Sequence, residues 1–469
     1  MTRDALLDAA RRAVRAAGGE ALARAVSERS VTARLARSRP TQATDVQRAR
    51  VEVLCVRDGH TGLAVAARTD DDALAAAARR AHDAALAAAH AGPGDYPGLP
   101  DPAPARGHDG FDVATAALDP RQVADALAAA LEAAAARDVE LAGTWTAGAV
   151  TEAIATSRGL EATDAVTDAQ FKAVALGPQG LRGYAARTAV AAGAIDPAAV
   201  AAEAAGKANP SGDPDDPFGA VRGAELADPL GGADAAEVPV VLGPDAVADL
   251  LQLFAALAFD GRAWAEGRSA LSGRLGQRVA APCVSLSDSV RFPRTLPRAF
   301  DAEGTPKAPV PLIQDGVAHR IVHDTRSAAE AGGDARSTGH AVVPGGGEWG
   351  AIPTNLVLIG GGARDVDELA RPIERGIYIT RLWYTNPIRP KETLITGMTR
   401  DGTFLIEDGQ ITRPLKDMRL TDSVLGVLER TQDLGSKPRL VSEGEFYGRR
   451  FAHGTVCPPL RAASMRFTG

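Results

Sequence analysis

The sequence predicts an α+β protein in two domains, with a mixed α/β N-terminal domain over residues 1–208 and a β-rich C-terminal domain over 238–469. Three observations carry this. In the first half, helical runs with capping residues are mixed with strands. In the second half, short apolar runs divided by Gly, Pro and Asp turns dominate. Between them, residues 209–237 are rich in Pro, Asp and Gly with little hydrophobic periodicity, as expected of a linker.

Each element follows from local rules. An amphipathic helix over about 4–17 opens the chain, and a polar, Arg-rich stretch continues to Arg50. Residues 51–56 (VEVLCV) and 62–67 read as strands around Asp58-Gly59, a hairpin whose loop is longer than two residues. Thr69 or Asp70 caps an Ala-rich helix to about Ala91, its side-chain oxygen accepting from the free amides of the first turn. Residues 92–110 are crowded with Pro and Gly and form a loop. Asp119-Pro120 and Asp196-Pro197 each place a cap before a first-position proline, opening helices to about Asp138 and Ala208. Between them, 139–155 and 159–176 are β-rich and joined at Ser157-Arg158-Gly159. Past the linker, a strand over 238–242 leads into a helix from Pro244 to about Phe259. Strands are then predicted over 310–314, 317–323, 356–360, 377–382, 393–400 and 402–407, with short helices over 365–375 and 422–430.

Composition excludes several functional classes. The net charge is −7 with both signs mixed, which leaves no basic footprint for nucleic acid or an anionic membrane. Aromatic residues are 4% of the chain, too few for base-stacking platforms. No uncharged apolar run approaches the roughly 20 residues a membrane span needs, and the N-terminus has no signal-peptide pattern. Three scattered cysteines (Cys55, Cys283, Cys457) fit a reducing compartment, so a cytoplasmic protein is expected.

Most local motifs read as structure. Gly345-Gly346-Gly347 and Gly360-Gly361-Gly362 lack the context of a phosphate loop. His319 and His323 lie on a predicted strand, where residues four apart stand roughly 13 Å from each other, too far to share a metal ion. No G-x-S-x-G elbow is present, and Cys55 sits inside an apolar strand.

The informative stretch is 250–279, LLQLFAALAFDGRAWAEGRSALSGRLGQRV. It resembles the central region of the TldD/PmbA metallopeptidase family, also called modulators of DNA gyrase. The resemblance continues through Phe300-Asp301-Ala302-Glu303-Gly304-Thr305-Pro306, Gln314-Asp315-Gly316, Pro353-Thr354-Asn355, Asn386-Pro387 and Leu405-Ile406-Glu407-Asp408-Gly409. In the first half it includes Gly59-His60-Thr61-Gly62 and Ser157-Arg158-Gly159-Leu160, so it covers nearly the whole chain.

The resemblance implies a two-domain TldD/PmbA-like fold. In TldD-type members it further implies a zinc ion held by His-Glu-x-x-x-His on the helix that opens the second domain. A cysteine near the C-terminus is a further ligand there, and the Glu polarises the attacking water. Anchoring on Gly267, Ser269 and Ser272-Gly273-Arg274 places Gln252 and Leu257 at the two histidine positions and Leu253 at the glutamate position. Neither an amide nor a leucine replaces imidazole, and Cys457 is out of register with the ligand cysteine. No metal is therefore expected in this chain, and zinc is expected in a TldD-type partner. The departure is similar to that of TldE/PmbA-like members, which pair with a TldD-type subunit and act on extended peptides. Arg268, Ser269, Asp301, Glu303 and Asn355 are candidates for substrate contact or for scaffolding, turn geometry being the simpler role for the two acids and a local ion pair for Arg268. Two rival readings are a peptide-holding homodimer without hydrolytic activity and a hydrolase with a rebuilt site, using His323 or His340.

Overall fold

The computed structural model describes residues 1–211, 218, 221, 235–347, 350–442, 445–446 and 448–468. Most of the predicted linker at 209–237 lies outside the described residues.

The first body is one antiparallel sheet with helices on one face. It comprises α1 (Arg3–Ala17), β1 (Glu20–Ala36), β2 (Arg39–Arg57), β3 (His60–Ala66), α2 (Asp71–Ala88), α3 (Val113–Ala116) and α4 (Pro120–Ala135). β4 (Glu140–Thr156), β5 (Glu161–Leu176), β6 (Arg182–Ala189) and α5 (Pro197–Ala208) complete it, with strand order β3-β2-β1-β4-β5-β6. The capped helices form as expected: Asp70, Asp119 and Asp196 each accept a hydrogen bond from a first-turn amide.

The polar, Arg-rich stretch before Arg50, for which the sequence predicts no element, is the greater part of β1 and β2, paired from Glu20↔Val56 to Ala36↔Arg39. One expectation is corrected here. The Asp58-Gly59 loop is two residues long, since Arg57 pairs with His60 and both turn residues have positive φ.

β1 and the Val51–Cys55 part of β2 are covered on both faces, whereas the Arg39–Arg48 part of β2 is largely exposed. Ala23, Ala25, Val51, Val53 and Ala153 face α1 and α2. The alternate residues face the second half of the chain, where Leu22, Leu54 and Ile154 meet Phe300, and Val26, Val150 and Val166 meet Leu296, Leu440 and Val456. The charged residues of that face are buried in pairs. Arg24 bonds Glu152 at 2.8 Å and Glu52 at 3.2 Å, and Arg50 bonds Glu52 at 2.9 Å. From the second half, Arg450 forks onto Asp168 with two 2.8 Å bonds.

Close approach of β3 and α2 depends on Gly62, where a Cβ would fall 2.0 Å from the Ala81 carbonyl oxygen. Gly62→Ala is expected to cost about 1–3 kcal/mol through overpacking, seen as a lower urea midpoint at unchanged slope.

The second body begins with β7 (Ala235–Leu242) and α6 (Pro244–Ala258). Its further strands are β8 (Leu286–Asp288), β9 (Val310–Gln314), β10 (Val317–Ala318), β11 (Asn355–Leu358), β12 (Arg375–Arg389), β13 (Leu394–Glu407) and β14 (Gln410–Pro414). Then follow β15 (Arg419–Ser423), β16 (Thr431–Leu434), β17 (Arg439–Val441), the short pair β18 (Glu445–Phe446) and β19 (Arg449–Arg450), β20 (Gly454–Cys457) and β21 (Leu460–Thr468).

One sheet runs β10-β9-β8-β11-β20-β17. The other runs β12-β7-β21-β15-β13-β14, and a further β12–β13 pairing closes β12, β7, β21, β15 and β13 into a ring. The predicted strands at 393–400 and 402–407 are the single strand β13, and the predicted strand at 317–323 is only the two residues of β10. α6 buries Val247, Leu250, Leu251 and Phe254 in a core shared by the ring and the second sheet. Among the described residues no helix is long and apolar enough to cross a membrane.

β12 runs past the ring. Its pairing with β7 covers Ile377–Ile379, whereas its pairing with β13 continues to Arg389. The segment from Leu382 to Arg389 is thus an arm with one edge free of strand partners among the described pairings, carrying the exposed Trp383, Tyr384 and Ile388.

Candidate functional site

The helix singled out by sequence opens on a cavity of about 390 Å³ where the two bodies meet. Lys172 of β5 and Tyr184 of β6 form one wall; Asp245, Asp249 and Gln252 of α6 another; Arg381, Trp383, Tyr384 and Thr385 of β12 the third. Successive positions 245, 249 and 252 lie on one side of a helix, so three polar side chains line the cavity while the apolar face of α6 enters the core.

Each wall group is held. Asp245 is 4% exposed and pairs through Oδ2 with Arg439 of β17. Its Oδ1 has no hydrogen-bond partner among the described residues. Asp249 Oδ2 accepts the Leu382 amide at 3.2 Å, where β12 has run past the end of β7. The Arg381 guanidinium pairs with Asp401 and lies 4.3 Å from the Tyr184 ring centroid and 5.2 Å from that of Trp383. Burial, reinforced by Asp245, pushes the Tyr184 hydroxyl well above its ordinary pKa, so it stays protonated.

Of the three positions predicted to replace a metal motif, Gln252 lines the cavity, whereas Leu253 and Leu257 pack against the hydrophobic core. Cys457 is buried beside the start of α6, its thiol donating to the Pro244 carbonyl at 3.2 Å. Burial raises its pKa, so it stays a thiol.

The five scaffold-or-contact candidates do not converge on this cavity. Arg268 is a surface residue paired with Glu266. Ser269 is buried, donating to the Ala258 carbonyl at 2.6 Å and accepting from the Leu271 amide at 3.0 Å, which ties the end of α6 to the following loop. Asn355 is fully buried, its amide donating to the Leu296 carbonyl at 2.5 Å and to Thr295 at 3.2 Å.

Asp301 and Glu303 form a second buried cluster. Asp301 accepts the amides of Glu303, Thr305 and Ala341 at 2.9–3.0 Å. Glu303 accepts from the Thr325 amide at 3.0 Å, the Thr325 hydroxyl at 2.5 Å and the Tyr96 hydroxyl at 3.1 Å. Burial, and for Glu303 also the neighbouring Asp301 charge, pushes both carboxyls above the usual range. Tyr96 comes from the predicted loop at 92–110, so that loop is pinned to the second body. Of the two histidines named for a rebuilt site, His340 is buried, 3.1 Å from Asp288, and His323 stacks edge-on against Trp264.

Sequence reasoning missed the acid pair Asp245/Asp249 and the β12 residues. A signal was present: PDAVADLLQLFAALA carries only three polar side chains after its proline, and their spacing puts them on one side.

A six-stranded sheet, covered by helices on one face and on the other by β11, β17, β20 and the Leu296–Phe300 segment of the second body, defines an α+β protein of two bodies. The model of the PmbA/TldA metallopeptidase C-terminal domain matches residues 235–469. The chain belongs to the TldD/PmbA metallopeptidase family. The fold is that of TldE from Thermococcus kodakarensis, with a TM-score of 0.82 at 18% identity over 99% of this chain and 100% of that one. A Thermotoga maritima protein described as a modulator of a DNA gyrase gives 0.80 at 19% identity over 100% of both. In sequence, a metalloprotease of Methanothermobacter thermautotrophicus is 26% identical over 175 residues, 37% of each chain. The metalloprotease TldD homolog of Haemophilus influenzae is 26% identical over 215 residues, 44% of this chain and 42% of that one. The matched segments thus span about two fifths of those relatives' length.

The family name implies a metal, and the residues on α6 do not fit one. A carboxamide and two core-packed leucines offer no imidazole, and the nearby thiol is protonated and bonded to a carbonyl. Among the described residues no three His, Cys, Asp or Glu side chains are grouped to hold a metal ion.

Proposed function

We propose that this chain is the non-zinc, TldE-like subunit of a TldD/TldE-type metallopeptidase complex that cuts or trims extended peptides. What carries this reading is the sequence of α6, in which Gln252, Leu253 and Leu257 fall at the positions of the metal motif when the resemblance is anchored on Gly267, Ser269 and Ser272-Gly273-Arg274. No histidine in the chain is followed by glutamate. The full-length likeness to a TldE structure supports the same assignment.

In this reading a cytoplasmic TldD-type partner supplies the zinc and the polarised water. This chain supplies a wall of the chamber and a surface that holds the peptide. The free edge of the β12 arm suits an extended peptide, because main-chain hydrogen bonds to a strand edge give affinity with little demand on side chains.

The test is peptidase activity of the purified chain alone, of a TldD-type subunit alone, and of the two mixed. Activity is expected in the mixture, lost with chelator, together with stoichiometric co-purification of the two chains. Chelator-sensitive hydrolysis by this chain alone would refute the assignment.

A further inference from the structure

We propose that the free edge of β2 is a docking site for an extended segment of a partner protein in which acidic and apolar residues alternate. The site belongs to the first body, where β2 lies three places from β5 in the sheet order, and it does not depend on the peptidase reading.

Three observations converge. First, the edge is long and open. β2 pairs with β1 from Arg39 onward, whereas β3 covers its other side only from Val51. Over Arg39–Arg50, roughly 40 Å of strand, every second residue turns its backbone groups toward no strand among the described pairings. Second, the edge is held in place. The Ser38 amide donates to the Leu141 carbonyl at 2.9 Å, and the Leu141 amide to Ser38 Oγ at 3.0 Å, which pins the turn between β1 and β2. Midway along, Arg29 joins Asp45 at 2.8 Å to the carbonyls of Ala116 and Leu118 at 2.9 and 3.0 Å. An edge already fixed in extended form costs an incoming strand little reorganisation.

Third, the two faces beside this edge differ in chemistry. Directly opposed residues share a face, and faces alternate along a strand. Arg34 opposes Gln42, Ala36 opposes Arg39 and Glu28 opposes Arg48, so Arg34, Arg39 and Arg48 lie on one face. All three are exposed, as is Arg37 in the turn, and none has an ion-pair partner among the described residues; Arg48 donates to the Gly448 carbonyl at 3.0 Å. Asp45 is the only acid over residues 33–50, and Arg29 holds it. On the opposite face, Val31, Ala33 and Ala43 meet Pro120 and Val123 of α4 around a notch of about 130 Å³. A strand added to this edge therefore sets one row of side chains beside arginines and the other beside an apolar notch. A second copy of the edge is the wrong occupant, because it sets arginine against arginine. Nucleic acid is disfavoured too, since a phosphodiester backbone has no amide donors for the free carbonyls.

Dye-labelled synthetic peptides of one length, alternating valine with glutamate, glutamine or lysine, test this on the purified full chain by fluorescence anisotropy. The glutamate peptide is expected to bind roughly tenfold more tightly than the glutamine peptide, as a few exposed ion pairs acting together allow. The difference should shrink at high salt, and the lysine peptide should bind most weakly. Arg34→Glu combined with Arg39→Glu is expected to remove the preference for glutamate. Two further glutamate peptides carry N-methyl groups on alternate residues, on the glutamates or on the valines. One of them is expected to lose binding and the other to keep it, because only one set of amides faces β2. Equal affinity for the glutamate and glutamine peptides would overturn the site. Retention of binding by both methylated peptides, or loss by both, would overturn strand addition. Tighter binding of oligothymidylate than of the glutamate peptide would overturn the choice of partner in favour of nucleic acid.

Discussion

Replacing Arg450 by Met is expected to destabilise the protein by about 3–5 kcal/mol, because it strands a carboxylate where water cannot reach it. The Arg450 and Asp168 side chains are 0% and 1% exposed, and the guanidinium also bonds Ser30 and Thr146 at 3.2 Å. The second body thus supplies the cation for an acid on the first body's sheet. Urea unfolding should show the loss as a lower midpoint. Adding Asp168→Asn to Arg450→Met should recover a large part of it, since the uncompensated charge is then gone. A single-variant loss under 1 kcal/mol would show that the two bodies do not depend on this contact.

The second large effect is pH dependence centred on Glu303. Its carboxyl is 0% exposed and is pushed up from the ordinary glutamate value of 4.5 to about 8, with burial the largest cause and the Asp301 charge next. A carboxyl with a raised pKa binds more protons in the folded than in the unfolded protein across that interval. Stability therefore falls as pH rises from about 4.5 to about 8 and levels off above, by up to about 1.4 kcal/mol per pH unit for one proton. Asp301, raised to about 6, adds a loss in the lower part of the window. Glu303→Gln keeps an acceptor for Thr325 and gives Tyr96 a donor while removing the titration. The variant should gain stability relative to the parent as pH increases through this range. Parallel pH profiles for the two proteins, from urea unfolding at several pH values, would contradict the assignment.

These two sites also show what could be read from the sequence. Capping residues are local chemistry, so the helices opened by Asp119-Pro120 and Asp196-Pro197 were legible. So was the strand leading into the helix from Pro244. Residues 51–56 of β2 were legible as a strand, but β1 and the part of β2 before Val51 were not, because Arg24, Glu28 and Arg50 look like solvent-facing residues until Glu152 and the second body are known. Ring closure was equally hidden, since it depends on partners distant in sequence. At the candidate site, the family resemblance directed attention to Gln252, which does line the cavity. It could not indicate Arg381 and Trp383, which a different strand brings there, or the unmet oxygen of Asp245. Asp301, Glu303 and Asn355 stood out by motif, and the structure gives them buried hydrogen-bond partners away from the cavity.

The ring of strands is sealed by segments from opposite ends of the second body, with Leu460 beside Leu242. A nascent chain emerging from the ribosome therefore exposes β7 long before β21 exists to cover its second edge. Until then β7 has β12 as its neighbour in the ring and an open ladder of amides and carbonyls on the other side, a template for wrong partners. Such distant pairing makes for slow maturation, and the helix that walls the cavity follows directly after β7. The cavity should accordingly take its final shape late, after translation has delivered the last strand.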